Sequence, residues 1–147
     1  MVGLLVLIMI NEYMNTEDFV TYEQALALKK LGFKEECLFF YNVHGEFNPN
    51  SVYDGYSDVN DASRSLNFQG RSKLAGDAPT LAQAQKWLRE KKDIIVLSTC
   101  NLDYENGHSW YWFVDKIFAV EDLEHSYKTY EEALSAGITE CIKLLEK

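Results

Sequence analysis

Three threonines, each placed three residues ahead of a Gln or Glu, constrain this chain more than any other feature. They stand in Thr21-Tyr22-Glu23-Gln24, Thr80-Leu81-Ala82-Gln83 and Thr129-Tyr130-Glu131-Glu132. This is the capping-box spacing, in which the Thr hydroxyl accepts an orphan N–H of the first turn and the Gln or Glu reaches back to the cap. An apolar periodic run follows each one. The first predicts a helix over about Tyr22 to Leu31 that turns Tyr22, Ala25, Leu26 and Leu28 inward and stops at Gly32, a natural residue just past a C-cap. The second follows Pro79 and aligns Leu81, Ala84, Trp87 and Leu88 over about Leu81 to Lys91. The third, about Tyr130 to Leu145, carries Tyr130, Leu134, Ile138, Cys141, Ile142 and Leu145 at helical spacing. Gly137 in its middle costs roughly 1 kcal/mol against Ala, which points to close approach by another element. The pattern TYE-x-AL, at Thr21 and again at Thr129, is one capping solution used twice and not a duplication.

Strand signals lie between the helices. Cys37 to Val43 is rich in aromatics, Ile94 to Thr99 reads as a buried strand, and Trp110 to Phe118 is a third. Asn106-Gly107 is a hairpin signal, because a type I′ turn needs positive φ at both central residues. A two-residue turn there pairs Cys100 with Phe113 and Val96 with Ile117, and sets Trp110 and Trp112 beside Asn101 and Asp103. Period-two alternation puts Trp110, Trp112 and Val114 on one side and Tyr111, Phe113 and Asp115 on the other. A single helical layer covers one side only, so the Trp side requires a lid from the N-terminal segment, the long loop or a second copy. Gly45 to Asp77 is full of turn formers and reads as one long irregular loop. The expected fold is therefore α+β, a small antiparallel sheet of about three strands packed on three helices in the order α-β-(long loop)-α-β-β-α. Residues 14–147 form a single domain in this reading, behind an apolar leader at 1–13.

The leader run MVGLLVLIMI is too short for a bilayer, which needs about twenty residues, and has no basic n-region or small-residue cleavage site. Two readings stand: an additional element covering the core, or a start-site artefact ahead of Met14, where Asn15, Thr16, Glu17 and Asp18 resemble an exposed N-terminus. The chain has 147 residues, 47% of them hydrophobic, which is ample for one core. Its 14 basic and 23 acidic residues give a formal charge of −9, which repels phosphate backbones and anionic membranes. Direct nucleic-acid and membrane binding are thus disfavoured. Cys37, Cys100 and Cys141 are odd in number and widely spaced, fitting neither a disulfide framework nor a C-x-x-C site. Free thiols imply a reducing compartment, and the expected location is the cytoplasm.

TYEQALALKKLGF at 21–33, APTLAQAQKWLREK at 78–91 and YKTYEEALSAGITECIKLLEK at 127–147 carry a resemblance. Over residues 16–44 and 78–147 the chain resembles a family of short proteins of phages and prophages of Bacteroides-type bacteria. In that family a capped helix ending in L-G-F leads to an aromatic strand, an A-P-T-x-x-Q helix follows, and a Y-E-E-A helix closes the chain. The resemblance implies a mobile-element setting and no particular chemistry, since no activity is established for the family.

Candidate chemistry is sparse. His108 lies near Asp103, Glu105 and Trp110 at the hairpin tip, where a pocket closing over it would make an acid–base site; a solvated turn is the favoured reading. His44 and His125 have no ligand at helical spacing, and Asp54, Asp58 and Asp61 lack the calcium-loop pattern and its closing Glu. No phosphate loop, dinucleotide fingerprint or nucleophile elbow occurs. No catalytic, cofactor or metal residue is assigned. The expected working surface is aromatic, comprising Tyr104, His108, Trp110 and Trp112, and its expected occupant is a protein partner or a second copy. The function expected is a non-catalytic accessory or interaction domain of a phage or mobile element. One alternative is a small enzyme with a pocket between the 101–109 tip and the 45–77 loop; another is an acidic DNA-mimic type of inhibitor.

Overall fold

Each of the three threonines stands at the start of a helix. The computed structural model describes residues 15–49, 74–103, 107–116, 118–121 and 125–147. Among these, Thr21 caps helix α1 (Tyr22–Lys30), Thr80 directly precedes α2 (Leu81–Lys92), and Thr129 caps α3 (Tyr130–Glu146). At α1 the box is reciprocal. The Gln24 N–H donates to Thr21 Oγ1 at 3.3 Å, and the Thr21 N–H donates to Gln24 Oε1 at 2.8 Å. At α3 the Glu132 N–H donates to Thr129 Oγ1 at 3.1 Å, while the Glu132 carboxylate accepts from Lys128 N–H, one residue earlier than a closed box requires.

The chain divides into two compact units, Met1–Thr80 and Leu81–Lys147. In the first, strands β1 (Phe39–Asn42), β2 (Phe47–Pro49) and β3 (Leu74–Asp77) form an antiparallel sheet in the order β2-β1-β3. Its register pairs Phe40 with Asn48 on one side and with Asp77 on the other. Strands β2 and β3 thus lie within the stretch expected to be one irregular loop. They are three and four residues long, too short for a period-two pattern to stand out among turn formers. The β1–β2 turn is built by Asn42, whose Oδ1 accepts from the His44 and Glu46 N–H groups. Phe19, Phe39, Tyr41 and Phe47 make an aromatic cluster with ring centroids 4.7–5.5 Å apart. Helix α1 is tied to β3 by Lys29 Nζ, which donates to the Ala75 carbonyl at 2.9 Å.

In the second unit, β4 (Ile95–Asp103), β5 (Gly107–Lys116) and β6 (Phe118–Glu121) form a second antiparallel sheet in that order. The class is α+β as expected, with the strands shared between two sheets where one was anticipated. The stretch read as a single strand to Phe118 belongs to two strands, β5 ending at Lys116 and β6 starting at Phe118, which pair with each other. Helix α3 packs on β4 and β5, and α2 packs on β4 and α3. Their shared core is Leu88, Ile94, Val96, Val114, Leu134 and Ile138, each at most 2% exposed. Each such side chain contributes roughly 1.5–3 kcal/mol by leaving water. Gly137 lets the helix reach the sheet: a Cβ there would lie 2.7 Å from Val96 Cγ2 and 3.0 Å from Trp112 Cβ.

The register of β4 against β5 differs from the expected one. Asp103 pairs with Gly107, Cys100 with Trp110 and Val96 with Val114, so residues 104–106 connect the strands in place of a two-residue turn. The shift is three residues. Being odd, it exchanges which β4 residues share a face with the tryptophans. Val96, Ser98 and Cys100 join Trp110, Trp112 and Val114, where Asn101 and Asp103 had been expected.

Candidate functional site

The exchange of faces relocates the candidate surface. Trp112 is only 8% exposed and belongs to the core beneath Gly137 of α3. Trp110 is half-buried, with its ring edge-on to Tyr130 at 5.5 Å and its backbone bridged to Tyr127. Helix α3 is the lid that the Trp side required, so Trp110 and Trp112 are not the open surface expected from their alternation. His108 is exposed near the tip, opposite Leu102. Tyr104 and Glu105 lie outside the described residues, as does the 50–73 part of the long loop, and so the tip-and-loop pocket falls there too. Among the described residues no group of three or more His, Cys, Asp or Glu side chains could hold a metal ion. No helix among them is long and apolar enough to cross a membrane. Cys37, Cys100 and Cys141 are all free thiols.

The open side of the second sheet is the one that carries Ile95, Leu97 and Thr99 from β4 with Tyr111, Phe113 and Asp115 from β5. Ile95 is 42% exposed and Leu97 44%, while Tyr111 and Phe113 are half-buried. In the ladder Ile95 is opposite Asp115, Leu97 opposite Phe113 and Thr99 opposite Tyr111. An apolar centre edged by a carboxylate is thereby presented on a rigid sheet. The sequence marked Ile94 to Thr99 as a buried strand, but it did not mark which alternate set would remain uncovered. That depended on the register.

The outer edge of β4 is equally defined. Trp110 exchanges two backbone hydrogen bonds with Tyr127, at 3.0 and 2.9 Å. Its N–H and C=O therefore point away from β4, so the opposed Cys100 is a non-hydrogen-bonded partner and aims its own N–H and C=O outward. Alternation makes Ser98 and Val96 do the same. The outward Val96 carbonyl accepts from Gln85 Nε2 of α2 at 2.7 Å. Among the described residues no hydrogen bond reaches the outward backbone groups of Ser98 or Cys100. The Ser98 hydroxyl, on the core side, is buried with no hydrogen-bond partner.

Compared with protein families, with curated proteins and with solved structures, the chain matches none.

Proposed function

We propose that this chain is a non-catalytic accessory protein of a phage or mobile element, acting in the cytoplasm through protein–protein contact on the open face of its second sheet. The observation that carries the reading is the pair Ile95 and Leu97, 42% and 44% exposed beside Tyr111 and Phe113. Large apolar side chains grouped on one rigid face are the usual centre of an interface, with aromatic residues supplying much of the binding energy. The resemblance to phage and prophage proteins supplies the setting. A charge of −9 disfavours nucleic acid as the ligand and favours a basic protein surface. The partner that fits is a host protein with an apolar contact centre and a basic rim, the latter facing Asp115.

The test is affinity capture from host cytosol followed by mass spectrometry, comparing the wild-type chain with the Ile95→Ser, Leu97→Ser double variant. Both residues are more than two-fifths exposed and lie outside the core, so the double variant retains a cooperative melt. A specific host protein retained by the wild type and lost by the variant supports the reading. Equal capture by the two, or capture of nothing by either, overturns it.

A further inference from the structure

The geometry points to a second site of contact, the outer edge of β4, where two copies of this chain pair antiparallel about a two-fold axis at Thr99. It is a surface distinct from the open face, and its occupant is another copy of the same strand. Three observations support it. First, the outward backbone groups of Ser98 and Cys100 are unbonded among the described residues, whereas the Val96 carbonyl accepts from Gln85. Unpaired strand edges are templates for another strand, and proteins blunt them with Lys, Pro, bulges or covering elements. Here the covering element is Gln85, and it stops at Val96. Over the rest of the strand there is no Lys or Pro, and the ladder to β5 runs without a register break.

Second, the free segment is complementary to itself. With Ser98 of one copy opposite Cys100 of the other, both residues exchange their N–H and C=O groups with the partner, and Val96 is left to Gln85. In antiparallel pairing, residues whose numbers have a constant sum face each other, so this register places Thr99 opposite Thr99 on the axis and Leu97 opposite Asn101. The open faces of the two copies then lie on the same side of one continuous sheet, because directly opposed residues share a face.

Third, the charge distribution permits it. The chain carries −9, and two copies repel over most of their surface. Ile94 to Leu102 contains no Asp, Glu, Lys or Arg. The one long edge of the second sheet is thus also the place where two acidic copies meet without opposing like charges.

Sedimentation velocity and oxidative cross-linking of the full chain test this. The wild type is expected to form a concentration-dependent dimer. Thr99→Glu, which places two carboxylates on the axis while altering an exposed side chain only, is expected to be monomeric with an unchanged melt. Thr99→Cys is expected to form a covalent dimer with oxidised glutathione, since opposed residues in a non-hydrogen-bonded antiparallel pair bring their Cβ atoms to about 4.5–5 Å, close to disulfide reach. Leu97→Cys, facing Asn101 in this register, is expected not to, and the wild type controls for Cys100. A wild type that stays monomeric overturns the proposal, as does a dimer indifferent to Thr99→Glu or a Leu97→Cys chain that cross-links as readily as Thr99→Cys. The two readings separate cleanly. Loss of host-protein capture in the Ile95, Leu97 variant with a monomeric wild type sinks the β4 pairing alone, whereas a Thr99-dependent dimer with unaltered capture sinks the open-face reading alone.

Discussion

Gly137 shows how one residue serves sequence-level and tertiary demands that conflict. In the middle of a 17-residue helix it sacrifices roughly 1 kcal/mol of helix propensity. Its hydrogen is what allows Val96 and Trp112 to sit against the helix backbone, where a Cβ would be 2.7 and 3.0 Å from their atoms. Overpacking of this kind costs about 1–3 kcal/mol, and neither neighbour yields easily, one being a stiff β-branched side chain and the other a Cβ fixed to its strand. Gly137→Ala is therefore expected to lower stability despite the better helix former, measured by urea unfolding. Added to Val96→Ala, which removes the nearer of the two obstructions and leaves the Trp112 Cβ, the same change should cost less than it does in the wild type; additive effects of the two substitutions would refute the steric account. Tyr41 makes a different kind of prediction. Its hydroxyl donates to the Val20 carbonyl at 2.8 Å, and burial, then the Glu23 carboxylate, push its pKa above the ordinary 10.0. A raised folded-state pKa means that the neutral phenol is favoured by folding, so its contribution is fully present below pH 10 and is lost as pH climbs through the folded value. Tyr41→Phe should cost about 1 kcal/mol at neutral pH, for the hydrogen bond. That difference from the wild type should shrink as unfolding is measured at successively more alkaline pH. A difference that stays constant would mean that the phenol does not titrate as described.

At the scale of elements, the ends of α1 are the most locally determined part of the structure. Its N-terminus is the reciprocal box of Thr21 and Gln24, and its C-terminus is a Schellman motif. The Phe33 N–H donates to the Leu28 carbonyl at 2.9 Å and the Gly32 N–H to the Lys29 carbonyl at 3.1 Å, with Gly32 at φ 93°. Phe33 and Leu28, the residues so joined, are both fully buried. A Cβ at Gly32 meets no atom within 4 Å, so the penalty for Gly32→Ala is conformational alone and amounts to about 1–2 kcal/mol. Thermal melting of that variant checks it, and an unchanged melting temperature would show that the left-handed turn is not required. Strands behaved otherwise. The β4–β5 hairpin was legible as a pair of strands and its turn region was correctly placed, yet its register was not. The Asn106-Gly107 dipeptide indicated a two-residue turn, and the ladder instead closes at Asp103 and Gly107. One odd shift carried Trp112 from the expected open face into the core and left Trp110 half-buried.

For the molecule as a whole, charge and composition restrict the class of partner, while the open surfaces are set by packing. The excess of acidic residues speaks against phosphate ligands wherever those residues stand. By contrast, Ile95 and Leu97 are exposed because α3 settles on the opposite face, and among the described residues the Ser98–Cys100 edge is free because Gln85 of α2 reaches only as far as Val96. The sequence by itself determined the three helices, the caps at Thr21 and Thr129, the Gly32 stop and the close approach at Gly137. Those features depend on hydrogen bonds and dihedral angles within a few residues, so neighbouring side chains suffice to specify them. Only the tertiary structure decided the division of strands into two sheets, the pairing of Cys100 with Trp110, and which side of the hairpin meets water. Strand pairing joins groups distant along the chain, and a side-chain period of two makes every face assignment turn on a single-residue choice of register.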